Sequence, residues 1–289
     1  MRIIDRTLPA DGVATKYLQE TADGFIVEAT YIKRPKKHIL CVSTQVGCLI
    51  RCRFCASGLR SKGALYERSL SSAEMVEECS NIAREIDLVA YHKPIHFSFM
   101  GEGEPFLNFG ECVKAFHVLT SMNWLVPVQI AVSTSGIRPD LIRRLSQIEF
   151  LVPFKLQVSL HGASDEIRSR IVPITKPITE IVAATRYYRE KCSRPVEWNY
   201  VMCSGVNDSL EHAELLVELL GPGWYVKFSQ LNLTAGLPFL PASRERVDQF
   251  RQILENNGLS TKCYKTDESG IGSGCGQLSY HYVQQKASL

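Results

Sequence analysis

Short apolar runs alternate with amphipathic segments along most of this chain. The runs have the length and alternation of strands, and the segments between them show the apolar spacing of helices. The strand-like runs are 39–43, 94–100, 128–133, 154–160, 196–203, 224–231 and 260–264. The helix-like segments are 71–86, 108–121, 139–146, 178–191, 208–220 and 243–257. Six strand-then-helix units favour a parallel α/β fold, but periodicity alone does not separate a barrel from a doubly wound sheet.

The first 37 residues predict a β-hairpin. Two extended runs, 16–19 and 25–31, flank Asp23-Gly24, which is a typical hairpin turn signal. The basic run 33–38 follows and contains Pro35, so we expect a solvated loop there, with a phosphate contact as the less favoured alternative.

Composition and charge narrow the class of protein. The 289 residues are 45% hydrophobic and 22% charged, as in an ordinary globular protein. No apolar run reaches the roughly 18 residues of a membrane span, and the N-terminus lacks the apolar core of a signal peptide, so we expect a cytoplasmic protein. The net charge of +3 permits RNA binding but does not require it.

Three cysteines form a C-x3-C-x2-C array at Cys48, Cys52 and Cys55. A disulfide between such close cysteines would be strained. A structural zinc site usually requires four protein ligands, and the nearby sequence contains no fourth cysteine. A [4Fe–4S] cluster takes one ligand per iron, so three thiolates would leave one iron open for an exchangeable ligand. A chance group of buried cysteines is the unfavoured alternative.

This array, with Phe54 before its last cysteine, resembles the signature of radical S-adenosylmethionine (SAM) enzymes. The longer matches CVSTQVGC and CRFCASG resemble the RNA adenine methylases of the RlmN/Cfr type. That resemblance implies a partial (β/α)6 barrel, a [4Fe–4S] cluster and SAM as cofactors, and methylation of carbon 2 or carbon 8 of an adenine in RNA. In such folds the active site lies at the carboxyl ends of the strands.

Polar motifs follow several predicted strands, and the resemblance implies that they bind SAM. Without the resemblance, these motifs would be interpreted as turns and helix caps. For Asp208 a helix cap is the preferred interpretation, at the start of the helix 208–220. The candidates that match the family are Gly103, Glu104, Ser135, Ser159, Leu160, His161 and Asn207. Glu102 stands where the family usually has Met, and the segment 165–174 also matches the family closely.

The stretch Gly274-Cys275-Gly276-Gln277-Leu278 places a thiol between two glycines, on an accessible loop where it can act as a nucleophile. The resemblance implies that Cys275 carries the methyl group as S-methylcysteine. A radical derived from a second SAM would then activate that methyl for addition to the ring. Cys41 would help remove the ring proton and close a transient disulfide with Cys275, and Glu28 matches an acidic proton acceptor. Without the resemblance, Cys41 would be a buried strand cysteine and Glu28 an exposed strand residue.

The match extends from about residue 11 to about residue 278 and predicts a single radical-SAM domain. We divide it into a hairpin lead-in (1–37), a barrel core (38–235) and a C-terminal extension with the methyl-carrier cysteine (236–289). We expect the protein to lack the helical N-terminal domain that is usual in the family, and the segment 267–273 departs from the family pattern. Both departures concern substrate binding, so reaction type is better determined than substrate.

Two hypotheses about the substrate follow. The first is RNA, with an adenine flipped into the barrel mouth; the second is a small molecule or peptide methylated by the same mechanism. A cluster protein that only transfers electrons is disfavoured, because it explains neither Cys41 nor Cys275. We expect a monomer served by an external one-electron donor of the flavodoxin or ferredoxin type, with no membrane partner.

Overall fold

The computed structural model describes residues 1–8, 13–59, 66–86, 93–229, 231 and 238–264. The strands in these ranges are β1 (Arg2–Thr7), β2 (Ala14–Glu20), β3 (Ile26–Arg34), β4 (Lys37–Cys41), β5 (Gln45–Gly47), β6 (Tyr66–Ser69), β7 (Ile95–Phe99), β8 (Val128–Thr134), β9 (Phe154–Ser159), β10 (Val196–Val201), β11 (Tyr225–Ser229) and β12 (Ser260–Tyr264). The α-helices are α1 (Ser72–Glu85), α2 (Phe109–Ser121), α3 (Pro139–Leu145), α4 (Asp165–Ile171), α5 (Ile178–Cys192), α6 (Leu210–Leu220) and α7 (Arg244–Asn256). Two short 3₁₀ helices span Ala56–Leu59 and Pro105–Leu107.

One ten-stranded sheet organises the described part of the chain, in the order β1-β2-β3-β4-β7-β8-β9-β10-β11-β12. The N-terminal strands β1 to β4 are antiparallel to one another. Every neighbouring pair from β4 to β12 is parallel. The short strands β5 and β6 pair separately as an antiparallel ribbon.

The parallel strands follow one another in the sheet in the same order as in the chain. A doubly wound sheet would reverse this order at a switch point and carry helices on both faces. Because the order runs in one direction, right-handed crossovers place the helices on one face only. The sheet is therefore a partial barrel of six strand–helix units, with β12 as a further parallel strand.

Side chains alternate between the two faces of the parallel strands. Large apolar residues of one face are fully buried against the helices: Leu40, Phe97, Leu156, Trp198 and Phe228. The alternate positions carry polar groups: His96, Lys155, Gln157, Glu197, Asn199 and Lys227. Branched apolar residues fill the interior of a closed barrel, whereas this polar concave face suits a hydrated or polar ligand.

The predicted strands and helices are confirmed, with their ends shifted by a few residues. The basic run 33–38 is not a loop: β3 continues to Arg34 and β4 begins at Lys37, so only Pro35 and Lys36 form the turn. Sequence analysis did not predict β1, β5, β6 or α4. The strands β5 and β6 have only three and four residues, which is too short to show a period.

The helix cap expected at Asp208 is also displaced by one residue. The Ser209 hydroxyl accepts from the His212 N–H at 3.3 Å and caps α6, whereas Asp208 Oδ1 accepts from the Gly205 N–H at 2.9 Å. Within the described ranges, each helix is too short or too polar to span a bilayer.

Candidate active site at the carboxyl ends of the strands

The segment 48–55, called the cysteine loop below, follows β5 and carries Cys48, Cys52 and Cys55. Gly47 (φ 81°) and Arg51 (φ 57°) have left-handed backbone conformations, which turn the chain sharply before and within the loop. The Cys55 N–H donates to the Cys52 carbonyl at 3.0 Å. All three cysteines are partly buried. The turns thus hold three thiols in one compact segment.

The surroundings of the thiols disfavour their ionisation. Burial, together with the neighbouring Cys55, raises the pKa of Cys48 to about 12. Burial also raises the pKa of Cys52, with Cys48 and Cys55 acting in the same direction. A cluster binds thiolates, so it would release the protons these thiols carry.

The positions of the three thiols indicate which kind of metal centre they could bind. In the described ranges, no three His, Cys, Asp or Glu side chains converge closely enough to hold a single metal ion. A [4Fe–4S] cluster spreads its thiolates over different irons, so its ligands need not meet at one point. Three neighbouring thiols on an apolar support therefore fit such a cluster.

Helix α4 supports the cysteine loop. The Arg53 N–H donates to the Ile171 carbonyl at 2.9 Å, at the end of α4. Ile171 packs with Ile50 and Val172 in a small buried group that Cys48, Cys52 and Phe54 also contact. The loop is thereby joined to the connection that follows β9.

Glu104 lies in the connection after β7 and joins it to the end of β8. Its Oε1 accepts from the Phe106 N–H at 3.0 Å and from Thr134 Oγ1 at 2.7 Å, and its Oε2 accepts from the Ser135 N–H at 2.7 Å. The side chain is buried, and burial raises the pKa of Glu104. The Ser135 hydroxyl lies beside this carboxylate and makes no well-formed hydrogen bond with the described residues.

The glycines of the same connection permit close approach to the end of β4. A Cβ on Gly101 would lie 2.7 Å from the Val42 carbonyl carbon and oxygen. Gly103 has φ 103°, and a Cβ there would lie 2.7 Å from the Gln45 Cβ. Glycine is therefore required at both positions for the strand ends to come together.

Arg168 joins the ends of β8 and β9 from within α4. Its guanidinium donates to the carbonyls of Ser159 (2.7 Å), Leu160 and Ser135, and its Nε donates to Thr175 Oγ1 at 2.7 Å. The side chain is fully buried, and burial lowers the pKa of Arg168 to about 10. Sequence analysis did not single out this residue, although it lies in the matched segment 165–174.

His161 follows β9 and is held as a neutral ring. Its Nδ1 accepts from the Val201 N–H at 3.1 Å, which assigns the proton of the neutral imidazole to Nε2. Burial, with Arg168 acting in the same direction, lowers the pKa of His161 to about 3. The ring meets Phe54 of the cysteine loop edge to face, with 4.9 Å between centroids.

The side-chain amide of Asn207 forms hydrogen bonds with backbone groups of the protein. Its Nδ2 donates to the carbonyls of His161 (2.9 Å) and Val201 (2.8 Å), and its Oδ1 accepts from the Cys203 N–H at 2.7 Å. Both amide hydrogens are thus engaged, and one lone pair of Oδ1 remains for a ligand. Asn207 fixes the position of His161 relative to the end of β10.

Cys41 is the last residue of β4, and its register neighbours are Thr30 on β3 and Ser98 on β7. Glu28 lies two residues from Thr30 on β3, so Glu28 and Cys41 project from the same face of the sheet. Contrary to the exposed position expected from sequence alone, Glu28 is buried, and its Oε1 accepts from Lys16 Nζ at 2.8 Å. The ammonium of Lys16 compensates this buried carboxylate.

A second buried carboxylate fixes the turn after Cys41. Both oxygens of Glu78, on α1, accept from the Ser43 N–H, at 3.1 and 3.3 Å. The Ser43 hydroxyl donates to the Glu28 carbonyl at 2.7 Å and accepts from the Glu102 N–H at 3.0 Å. These bonds link β3, β4 and the connection after β7 around Cys41.

The structure brings two groups of the predicted site residues together. Glu104 contacts Ser135, and His161 contacts Asn207. Cys275 lies outside the described residues, so its distance from Cys41 is not defined.

Comparison with known proteins identifies the family. The Radical SAM superfamily profile matches residues 42–217. A Thermoanaerobacter sp. strain X514 protein named "Probable dual-specificity RNA methyltransferase RlmN" is 33% identical over 291 residues, which covers 99% of this chain and 82% of the relative. The dual-specificity RNA methyltransferase RlmN of Syntrophobacter fumaroxidans is 34% identical over 278 residues, covering 94% and 78%.

A solved structure agrees with these relatives. The crystal structure of a radical SAM methyltransferase from Sphaerobacter thermophilus superposes with a TM-score of 0.85 at 34% identity, covering 95% of this chain and 80% of that one. These enzymes use a [4Fe–4S] cluster and SAM, for which the cysteine loop and the polar strand ends are suited. The chain therefore belongs to the radical SAM superfamily and, within it, to the RlmN family of methyltransferases.

Proposed function

We propose that this protein methylates an sp2 carbon of an adenine in RNA, carbon 2 in preference to carbon 8, with Cys275 as the methyl carrier. One observation carries the proposal: the cysteine loop, the Glu104–Ser135 contact and the His161–Asn207 contact occupy one end of the parallel sheet. The relatives named as RNA methyltransferases support RNA over a small molecule or peptide. An RNA substrate also agrees with a cytoplasmic location.

In this proposal Cys48, Cys52 and Cys55 are the cluster ligands. The cluster and SAM, when bound, supply the electron and the radical chemistry. The protein holds the thiols on the apolar support of Ile171 and Val172, which limits access of water. No fourth thiol is required, because the open position accepts an exchangeable ligand.

The strand-end residues position SAM. Glu104 Oε2 accepts one protein hydrogen bond and keeps capacity for an ammonium group, while Gly103 leaves the approach free of a side chain. Ser135, Ser159 and Leu160 are fixed through their carbonyls by Arg168. His161 contributes a neutral ring and Asn207 an amide oxygen.

Cys275, Cys41 and Glu28 carry out the steps on the substrate side. The Cys275 thiolate takes the methyl group of one SAM, and S-adenosylhomocysteine leaves. Once the methyl carbon is bonded to the ring, the Cys41 sulfur bonds to the Cys275 sulfur while the bond between Cys275 sulfur and that carbon breaks, which releases the product. Glu28 Oε1, held by Lys16 Nζ, is placed on the same face as Cys41 and serves as the acceptor of the ring proton. We further propose that the protein acts as a monomer and takes electrons from an external one-electron donor.

The test uses reconstituted protein with SAM, dithionite and total RNA, followed by mass spectrometry of nucleosides. We expect methyladenosine with the unaltered chain and none with Cys275→Ala, which should still cleave SAM to 5′-deoxyadenosine. SAM cleavage without methyladenosine in the unaltered protein would overturn the RNA proposal in favour of a small molecule or peptide. Iron and sulfide content measured in the Cys48→Ala, Cys52→Ala, Cys55→Ala triple variant tests the ligands separately, and full retention would refute them.

A further inference from the structure

Backbone pairing between β3 and β4 stops at Cys41. The register pairs Thr30 with Cys41, so the antiparallel residue opposite Glu28 would be Ser43, beyond the end of β4. Instead of a ladder bond between main chains, the Ser43 hydroxyl donates to the Glu28 carbonyl at 2.7 Å. A side chain therefore continues the pairing at the point where Cys41 and Glu28 lie on neighbouring strands.

Glu78 holds Ser43 in this position. It lies on α1 beside Met75, Cys79 and Ile82, on the face that otherwise buries apolar side chains. Both of its carboxyl oxygens accept from the Ser43 N–H, at 3.1 and 3.3 Å, and both residues are buried. In the described part of the chain, this N–H donates to no other group. Loss of the acceptor would leave a buried N–H unsatisfied, which favours displacement of Ser43.

The surroundings of Glu78 favour its protonated form. Burial raises the pKa of Glu78 well above its ordinary value, and three neighbouring acidic groups act in the same direction. These groups are Glu102, Glu74 and Glu28. A neutral carboxyl still accepts a hydrogen bond through its carbonyl oxygen. Glutamine has the same length and the same carbonyl oxygen, so it should be able to replace Glu78 in this contact.

Ser43 connects α1 to both groups that act on the substrate side. Cys41 precedes Ser43 by two residues, and the Glu28 carbonyl accepts from the Ser43 hydroxyl. A shift of Ser43 would therefore change the position of Cys41 relative to Glu28. Misplacement of a reacting group by about 1 Å can slow a reaction about 100-fold.

We propose that Glu78, acting through Ser43, positions the two groups that complete the reaction after the methyl carbon has bonded to the ring. These groups are Cys41 and Glu28. The inference rests on the proposed function, because it uses the roles assigned there to the residues on the substrate side. SAM cleavage precedes these steps and involves neither group. Loss of the Glu78 contact should therefore slow product release, and the adduct whose methyl carbon is bonded to both the ring and Cys275 should accumulate.

The experiment compares two substitutions of Glu78 in the cluster-loaded protein. Glu78→Met removes the acceptor but keeps the length of the side chain, whereas Glu78→Gln keeps an acceptor oxygen. Glu77→Met is the matched control, because Glu77 is exposed on the same helix and forms an ion pair with the amino terminus. Reactions contain total RNA, SAM and dithionite. Methyladenosine, SAM cleavage and iron content are measured, and the adduct is detected from the intact mass of the protein after nuclease digestion.

We expect Glu78→Met to form methyladenosine at least about tenfold more slowly than the unaltered protein and to accumulate the adduct. Cys41→Ala, which cannot close the disulfide, serves as the reference for full accumulation. SAM cleavage and iron content should not change in Glu78→Met. Glu78→Gln and Glu77→Met should match the unaltered protein in every measurement.

Amide hydrogen exchange over residues 41–44 measures the contact without RNA. Exchange should be faster in Glu78→Met than in the unaltered protein or in Glu78→Gln, because the Ser43 N–H loses its acceptor. Ser43→Ala breaks the link at the hydroxyl instead, and it should also accumulate the adduct.

Normal methyladenosine formation without adduct in Glu78→Met would overturn the proposal. A parallel loss of iron and SAM cleavage would indicate a wider structural role for Glu78, and Ser43→Ala then decides: absence of adduct there overturns the proposal. Neither methyladenosine nor adduct from the unaltered protein would refute the proposed substrate. Hydrogen exchange then decides separately, and equal exchange over 41–44 in Glu78→Met and the unaltered protein would overturn the positioning role.

Discussion

Replacing Arg168 by Met should destabilise the protein more than any exposed substitution on the same helix. Methionine has a comparable length and fills most of the space, but it donates no hydrogen bond. The change therefore removes four hydrogen bonds without opening a large cavity: those to the carbonyls of Ser135, Ser159 and Leu160 and to the Thr175 hydroxyl.

The expected magnitude follows from the burial of the groups left behind. The carbonyls of Ser135 and Leu160 are buried and that of Ser159 is partly buried, and each unsatisfied buried acceptor costs about 1–3 kcal/mol. Burying the charged guanidinium is itself unfavourable, and this burial lowers the pKa of Arg168 to about 10. Removing the buried charge therefore offsets part of that cost. We expect a net loss of about 3 kcal/mol in the free energy of unfolding.

The assay is urea unfolding followed by circular dichroism under anaerobic conditions, with the KM for SAM as a second measurement. Arg170→Met is the matched control, because Arg170 lies on the same helix and is exposed, and it should stay within about 0.5 kcal/mol of the unaltered protein. Arg168→Lys keeps the charge but reaches fewer carbonyls, so it should fall between the two. The KM for SAM should rise, since Ser135, Ser159 and Leu160 lose their common support.

Equal urea midpoints and slopes for Arg168→Met and Arg170→Met would refute the predicted loss of stability. A KM that is unchanged despite the expected loss of stability would limit Arg168 to a structural role.

Two further predictions concern the same end of the sheet. The pKa of His161, about 3, lies below its ordinary value of 6.5, so the unfolded chain binds a proton that the folded protein does not between those pH values. The free energy of unfolding therefore falls by about 1.4 kcal/mol for each pH unit below pH 6.5, until the folded protein also binds the proton. His161→Asn should remove this pH dependence. Urea unfolding at pH 7 and pH 4.5 measures it. Gly103→Ala should cost about 1–3 kcal/mol and weaken SAM binding, because its Cβ would lie 2.7 Å from Gln45 Cβ. Gly24→Ala has a similar positive φ but no atom within 4 Å of the added Cβ, so in urea unfolding it should cost less, and equal costs would refute the steric argument.

Much of the fold could be predicted because its signals are local. Apolar periodicity located β7 to β11 and the helices α2, α3, α5 and α6, because such signals depend on positions close together in the chain. The elements that were missed are β1, the short ribbon of β5 and β6, and α4. The ribbon of β5 and β6 and helix α4 position the cysteine loop. The sequence therefore predicted the chemistry of the loop but not the elements that hold it in place.

Among the site residues, the three cysteines of the array were found from their spacing, and the other candidates from the resemblance of their motifs to the family. Arg168 was not, because nothing near it in the chain indicates that its guanidinium reaches the ends of two strands. The same applies to the ion pair between Lys16 and Glu28, which depends on the register of β2 and β3.

The sequence by itself determined the order of strands and helices, the three-cysteine array and the polar residues that follow the strands. These features depend on residues only a few positions apart in the chain. At such short separations the regular geometry of helices and strands fixes how side chains are arranged. Only the tertiary structure decided which of them meet: Glu104 with Ser135, and His161 with Asn207. It also decided the single direction of the strand order, which leaves one face of the sheet polar and open. Such contacts join residues 31 and 46 positions apart, and hydrogen-bond partners at that separation are selected by packing and register rather than by any local pattern.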